Sequence, residues 1–401
     1  MYSANMFAMP SSLLTRTPSL ESISSFRSSE TTISEISGFA PASISPRVWD
    51  GSTLTPEDYV FKLSKEEVQA VRHAVVSFKL SGRPRSDLSP STFHLPLELA
   101  RKLRNCSEHI HDGPGLSVVR GLNEARFNDE ESVLAFVGVS SHVCPERATD
   151  GFANQTLSHI RDATRDKVLE GAEHIGLAGS KLPTAMEFHA DRYSGDVLAL
   201  YVRNTGGENN GGDQFLASFG AVYNEILATD PEVLDTLSVD NWPFEMKDSK
   251  TELPYLEPGP VLWFSRGRPI CQLVRAPLLG SPKIPRSCAM PKLSEKQLYA
   301  LQVVEKIASH RKIKLDRQEG DIQYIHNLSV MHARSAYGSK AEGPSQRHLL
   351  RMFLRDPQRA WVKPPGYCQK FEGCFTKDRE QNIPIFDADP WRKISGRDSH
   401  G

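Results

Sequence analysis

The sequence predicts a mainly β fold with surrounding helices (α+β), built on a double-stranded β-helix, or jelly-roll, core. Three features of the chain point there. Strand candidates are short and separated by long excursions, which suits a jelly roll with helices packed outside. Asp196–Val202 is an apolar run of strand length, followed by a Gly- and Asn-rich loop from Asn204 to Gly212. The segments Phe188-His189-Ala190-Asp191 and Met331-His332-Ala333-Arg334 carry metal-binding side chains at strand spacing, far apart in the chain.

In chain order, a helix is expected over Ser64–Phe78, with Ser64 and Glu67 in capping-box spacing and Val68, Val71, Val75 and Phe78 on one face. A second is expected over Pro96–Cys106 with Leu99 and Leu103 inward. His109 and His111 then form a His-x-His that reads as a surface turn before Asp112-Gly113 rather than a second metal site. Leu116–Val119 reads as a strand, and Asn128–Val137 as a helix opened by Asn128 and Glu131. After the strand Gly195–Val202, the stretch Gly211–Ser218 leads into a helical pattern with Val222, Tyr223, Ile226 and Leu227 on one face. Val261–Phe264 is the next strand candidate. Ser294 and Gln297 open a helix to about His310, with Leu298, Leu301 and Ile307 on one face. Ile313–Leu315, Ile322–Ile325 after the Gly320-Asp321 turn, the His332 segment and Leu349–Leu354 complete the strands.

At 401 residues, with 39% hydrophobic content, the chain can form one large domain or two smaller ones. A net charge of −1 gives no basic excess, so nucleic acid is not an expected partner. No apolar run approaches a membrane span, and a homo-oligomer is compatible with the composition. Residues 1–45 are rich in Ser and Thr and are expected to be disordered; Glu21, Glu30 and Glu35 argue against a mitochondrial presequence. The body is expected over 46–378 and a flexible polar tail over 379–401. Six cysteines without a Cys-x-x-Cys pair fit reduced thiols in a cytoplasmic protein.

His189 and Asp191 stand two apart, so in an extended strand both side chains face one way. A chain with 13 histidines and 49 acidic residues matches such a short motif by chance as well, and the plain alternative is a surface His near an Asp. Two imidazoles and a carboxylate on one face of a metal leave the other face open, the arrangement of non-haem Fe(II) oxygenases. The same three groups could serve zinc or manganese in a hydrolase or isomerase, or persist in a non-catalytic binding protein.

The phrases FHAD, DVLALYVRN, GGDQFLAS, VYNEIL, GDIQYIHN, MHARSAY and RHLLRMFLRD, in this order from roughly Val48 to Phe375, resemble the iron(II)- and 2-oxoglutarate-dependent dioxygenases of the taurine dioxygenase group. The resemblance implies a cupin-like jelly roll with His189, Asp191 and His332 as iron ligands and with Fe(II), 2-oxoglutarate and O2 as cofactor and cosubstrates. It places Arg347 where the family pairs an arginine with the far carboxylate of 2-oxoglutarate, a task that suits a guanidinium fork. Arg351, four residues on, shares that strand face and could assist, grip an anionic group on the substrate, or sit in a structural ion pair. The His332-to-Arg347 spacing is longer than in bacterial members, which leaves open which arginine does which job. Gln214 replaces the family's usual Thr after Gly-Gly-acid and is a candidate cosubstrate contact. The implied reaction is hydroxylation, desaturation or another oxidation of a C–H bond in a small molecule, in natural-product biosynthesis or in breakdown of a sulfonate or other anion. Candidate pocket residues are Leu182, Met186, Glu187, the segment Asn154–His159, Trp242, Arg275 and Asn327, while His326 stands where the family more often has Asn.

Overall fold

The computed structural model describes residues 39–40, 45–150, 154–167, 170, 177–207, 210–247, 253–280, 285–338 and 345–387. Most of the Ser-rich segment expected over 1–45, and positions 388–401 of the expected tail, lie outside the described residues.

The strands are β1 Val60–Lys62, β2 Leu116–Arg120, β3 Glu146–Arg147, β4 Ser158–Arg161, β5 Met186–His189, β6 Val197–Asn204, β7 Gln214–Ser218, β8 Trp242–Lys247, β9 Pro254–Gly259, β10 Leu262–Ser265, β11 Arg268–Cys271, β12 Ile313–Lys314, β13 Ile322–His326, β14 Val330–Arg334 and β15 His348–Arg355. The helices are α1 Lys65–Leu80, α2 Leu97–Asp112, α3 Asp129–Val143, α4 Phe219–Thr229, α5 Glu232–Ser238, α6 Ala276–Leu279, α7 Glu295–Arg311 and α8 Cys368–Glu372. A seven-stranded sheet runs β1-β2-β13-β6-β15-β3, with β4 also on β15, and a four-stranded sheet runs β12-β7-β14-β5. Two hairpins, β8-β9 and β10-β11, complete the described strands.

Alternation along each strand sorts the side chains into three apolar layers. Between the sheets, Leu198, Leu200 and Val202 of β6 and Leu349 and Phe353 of β15 meet Leu216 of β7 and Val330 of β14. On the outer face of the larger sheet, Val197, Ala199, Tyr201, Leu350 and Met352 pack against Val71, Phe78, Leu99, Leu103 and Phe136 of α1–α3. On the outer face of the smaller sheet, Phe188, Ala217 and Met331 pack against Val222, Leu234, Leu301 and Val304 of α4, α5 and α7. This is the jelly-roll arrangement expected, with helices outside both sheets.

Several elements differ from expectation. α2 continues past Cys106 to Asp112, so His109 and His111 lie in its last turn rather than in a surface turn, and His111 is buried. α3 continues past Val137 to Val143, and it is buried along almost its whole length, so no polar face marked its end. Gln214–Ser218 is a strand, and Ser218 only then caps α4 by accepting from the Ala221 N–H at 3.1 Å. Leu298 is 40% exposed; the buried face of α7 is Gln297, Ala300, Leu301, Val304, Ile307 and Ala308. Residues 379–387, counted with the polar tail, are held against the body. Ile383 is buried, the Asn382 N–H donates to the Asn154 carbonyl at 2.7 Å, and Asp387 pairs with Arg161 and Lys181 at 2.9 and 2.7 Å. No described helix is long and apolar enough to cross a membrane.

Candidate metal centre

β14 lies between β7 and β5, with His332 opposite His189 on one side and Leu216 on the other. Phe188, Ala190, Met331 and Ala333 point into the helical layer, so His189, Asp191, His332 and Arg334 turn to the space between the sheets. β5 ends at His189, and Asp191 sits just beyond the strand. The two-residue spacing therefore gives the right face, but the backbone of Asp191 is fixed from elsewhere. The Asp191 N–H donates to Asn327 Oδ1 at 2.9 Å, and Asn327 Nδ2 donates to the Asp191 and Gly195 carbonyls at 2.7 and 3.0 Å. Asn327 is fully buried and serves as a backbone clamp.

One ligand atom from each of His189, Asp191 and His332 lies within 4.8 Å of the other two, and among the described residues this is the group able to hold a metal ion. The imidazole centroids are 4.2 Å apart, and His332 Nε2 is 3.4 Å from Asp191 Oδ2. His189 Nδ1 lies 2.7 Å from the Glu187 carbonyl, which only accepts, so Nδ1 carries the proton and Nε2 keeps its lone pair for a metal. Burial, with the neighbouring His332, pushes the His189 pKa down to about 3. Burial alone would raise Asp191, but the His332 hydrogen bond and the charges of His332, His189 and Arg351 outweigh it and hold the carboxyl well below its ordinary range. A buried carboxylate beside two imidazoles is a donor set that fits a divalent first-row cation.

Arg347 precedes β15 and turns to the same interior, 3% exposed. Its Nε and Nη1 are buried with no hydrogen-bond partner among the described residues. Burial first, then the charges of Arg317 and Arg334, draws its pKa down to about 9. A guanidinium left in this state fits a carboxylate that arrives from outside the chain. Gly212 makes room for it: at φ +73°, a Cβ there would stand 2.8 Å from Arg347 Nε. Arg317 fixes the loop by donating from Nη1 to the Gly212 carbonyl at 2.7 Å. Arg351 also faces inward, and its Nε donates to Ser158 Oγ at 3.2 Å. Gln214 lies opposite Arg334 across the β7–β14 ladder, with Oε1 buried and without a partner.

Other sequence candidates lie elsewhere or have structural partners. Trp242 belongs to the core under the smaller sheet and donates to the Thr236 carbonyl at 2.9 Å. Arg275 pairs with Glu187 and Glu305 at 3.1 and 3.0 Å, joining β5 to α7, which leaves Glu187 on an exposed edge. His159 is buried against His348, with Nδ1 and Nε2 2.8 Å apart, and its Nε2 lies 3.3 Å from the Pro384 carbonyl. His326 is fully buried beside His111 and Trp361. Leu182 contributes its carbonyl, which accepts from Arg334 Nη2 at 2.8 Å, and Met186 opens β5. Arg334 was not singled out from sequence, although its two-residue spacing from His332 signalled it. Tyr337 and Arg317 carried no such signal.

A family model described as "Taurine catabolism dioxygenase TauD, TfdA family" matches residues 81–353. The chain belongs to this family. It is 32% identical over 351 residues to the taurine hydroxylase-like protein SAT17 of Stachybotrys chartarum, covering 87% of this chain and 89% of that protein. Among solved structures, asparagine oxygenase in complex with Fe(II), 3-hydroxyasparagine and succinate matches with a TM-score of 0.55 at 16% identity, over 74% of this chain and 94% of its own. The non-heme iron oxygenase OrfP in complex with Fe and alpha-ketoglutaric acid matches with a TM-score of 0.51 at 17% identity, over 75% and 95%. At such identities these two establish the shared fold. As a TauD/TfdA member the chain is an oxidoreductase, an iron(II)- and 2-oxoglutarate-dependent dioxygenase, which displaces the hydrolase, isomerase and non-catalytic alternatives.

Proposed function

We propose that His189, Asp191 and His332 hold Fe(II), that Arg347 grips the far carboxylate of 2-oxoglutarate, and that the enzyme oxidises a C–H bond of a small molecule whose anionic group meets Arg351. The observation that carries this reading is the convergence of three ligand atoms within 4.8 Å beside a buried guanidinium that has no partner on Nε and Nη1. Bound there, Fe(II) with 2-oxoglutarate and oxygen supplies the oxidising power for C–H cleavage as the keto acid is converted to succinate and carbon dioxide. The chain's own residues bind, orient and exclude water. The Glu187 carbonyl fixes the His189 tautomer, and Asn327 aims Asp191. The Leu198, Leu200, Leu216 and Val330 layer closes the inner end of the space to water.

An anionic substrate is supported by Arg351, which is 7% exposed and faces the interior close enough to act on Asp191. The names of the relatives agree in kind: a hydroxylated amino acid is bound in the asparagine oxygenase, a hydroxylated arginine in OrfP, and taurine, a sulfonate, appears in the fungal protein's name. A biosynthetic oxidation of a small natural product and the breakdown of a sulfonate both fall within this class. A cytoplasmic setting is supported by six cysteines that are all free thiols.

The test is succinate release from 2-oxoglutarate by the Fe(II)-loaded protein against a panel of amino acids, sulfonates and uncharged analogues. Iron-dependent succinate stimulated by an anionic member, and abolished in His332→Ala, is expected. If a folded sample gave neither turnover nor a visible charge-transfer band with Fe(II) and 2-oxoglutarate under anaerobic conditions, the reading would be wrong.

A further inference from the structure

We propose that the Tyr337 hydroxyl donates a hydrogen bond to the far carboxylate of 2-oxoglutarate and forms, with Arg347, a two-armed anchor for the cosubstrate. This rests on the reading that Arg347 grips that carboxylate.

Tyr337 follows β14 and is 3% exposed. Its backbone is pinned from two sides. Its N–H donates to the Pro183 carbonyl at 3.0 Å, it bridges to Gly211, and the Gly212 N–H donates to the Ala336 carbonyl at 3.0 Å. The ring lies beneath two cations, with Arg347 Cζ 5.0 Å and Arg334 Cζ 4.9 Å from its centroid. The phenol is thus held on the same glycine loop that makes room for the Arg347 guanidinium.

The hydroxyl itself is buried and meets no partner at hydrogen-bond geometry. The Arg347 guanidinium is near enough to bear on the phenol oxygen as a donor, and such a contact leaves the phenol's own proton uncommitted. Burial, foremost, raises its pKa, so the oxygen keeps its proton and is available as a donor. Around it, Arg347 Nε and Nη1, Arg334 Nε and Arg317 Nε are likewise buried without partners. Every one of these groups offers a proton, and leaving so many buried donors unmatched is costly. What the set lacks is an anionic acceptor. A carboxylate has enough lone-pair sites to take the guanidinium fork on one side and a phenol on the other. The hydroxyl would then add a directed hydrogen bond to a charged oxygen, and it needs no side-chain reordering because its ring is already clamped.

The experiment is an anaerobic titration of Fe(II)-loaded protein, read by the visible charge-transfer band, with 2-oxoglutarate and separately with pyruvate, which has the keto-acid end but no far carboxylate. Tyr337→Phe keeps the ring under both guanidiniums and removes only the donor. We expect its dissociation constant for 2-oxoglutarate to rise about 10- to 100-fold, the range of one hydrogen bond to a charged group, with pyruvate binding unchanged. Arg347→Met is run beside it. If Arg347→Met weakens 2-oxoglutarate while Tyr337→Phe stays within about twofold of the parent, the hydroxyl is not an arm of the anchor. Equal losses for both ligands in Tyr337→Phe would mark a structural residue and overturn the proposal too. If Arg347→Met itself leaves 2-oxoglutarate binding unchanged, it is the underlying anchor reading that fails.

Discussion

Both ends of the Asn327 amide are committed to the backbone that carries Asp191 and to Gly195. Asn327→Ala would leave the Asp191 N–H and two carbonyls without their partner in a fully buried place. We expect iron affinity to fall about 10- to 100-fold, as for other supports of metal ligands, with about 2–4 kcal/mol lost in stability. Fe(II) titration and urea unfolding check the two effects, and an unchanged iron affinity would refute the clamp. Gly212→Ala tests the other side of the site. A Cβ at φ +73° would meet Arg347 Cδ and Nε at 2.8 Å each, so weaker 2-oxoglutarate binding with unchanged Fe(II) binding is expected in a calorimetric titration. His189, Asp191, His332 and Arg347 were legible as candidates because their spacing and motif order survive in one dimension. Asn327 was visible only as a neighbour of the distal histidine. Arg334 carried the same two-residue signal from His332 without being singled out, whereas Tyr337 and Arg317 were not legible, because they matter through where the chain folds back, which no local spacing records.

At the scale of elements, the helices with capping boxes began where the sequence placed them: Ser64 with Glu67, Asn128 with Glu131 and Ser294 with Gln297 each make both reciprocal bonds. Their ends were harder to read. α3 is enclosed, and a helix that is apolar all round offers no contrast between faces, so Gly138 was an unremarkable position in the sequence. In the fold it is the point of closest approach to Phe93, whose ring atoms would lie 2.5–2.6 Å from a Cβ added there. Phe93 is fully buried and cannot swing aside. Gly138→Ala is therefore expected to destabilise by about 1–3 kcal/mol through overpacking, despite the better helix propensity of Ala. Chemical denaturation checks this, and a gain in stability would show that the ring can shift. The strands beside the site were partly legible for a related reason: β6, an apolar run, stood out, whereas β7 mixes Gln, Phe, Leu, Ala and Ser without a clean alternation and merged with the helix that follows it.

Across the whole molecule, the two sheets and their helical layers bury histidines that no metal chemistry explains. His159 and His326 are fully buried and His142 nearly so, while His348 is half-buried against His159. Burial is the leading cause in each case: it draws His159 down to about 4 and His348 to about 3, and lowers His142 and His326 as well. In the unfolded chain these groups titrate near 6.5. Between pH 6.5 and about 4 the unfolded state therefore binds protons that the folded state refuses, so stability is full above pH 6.5 and is lost as pH falls. His159 and His348 each contribute a slope of up to about 1.4 kcal/mol per pH unit in that window, and His142 and His326 add in the same direction. The loss begins above the range in which ordinary carboxylates protonate, about pH 4, so the two causes of acid unfolding separate on the pH axis. Urea unfolding between pH 7 and 5, with a chelator present so that metal release plays no part, is expected to show a midpoint that falls with a slope of more than one proton. His142→Gln can still donate to the Phe93 carbonyl, which now lies 2.8 Å from Nε2, and should make that slope shallower. A stability that stays flat from pH 6.5 to 5 would mean that the buried imidazoles find acceptors on protonation, and that the helical layers open to water more readily than their packing implies.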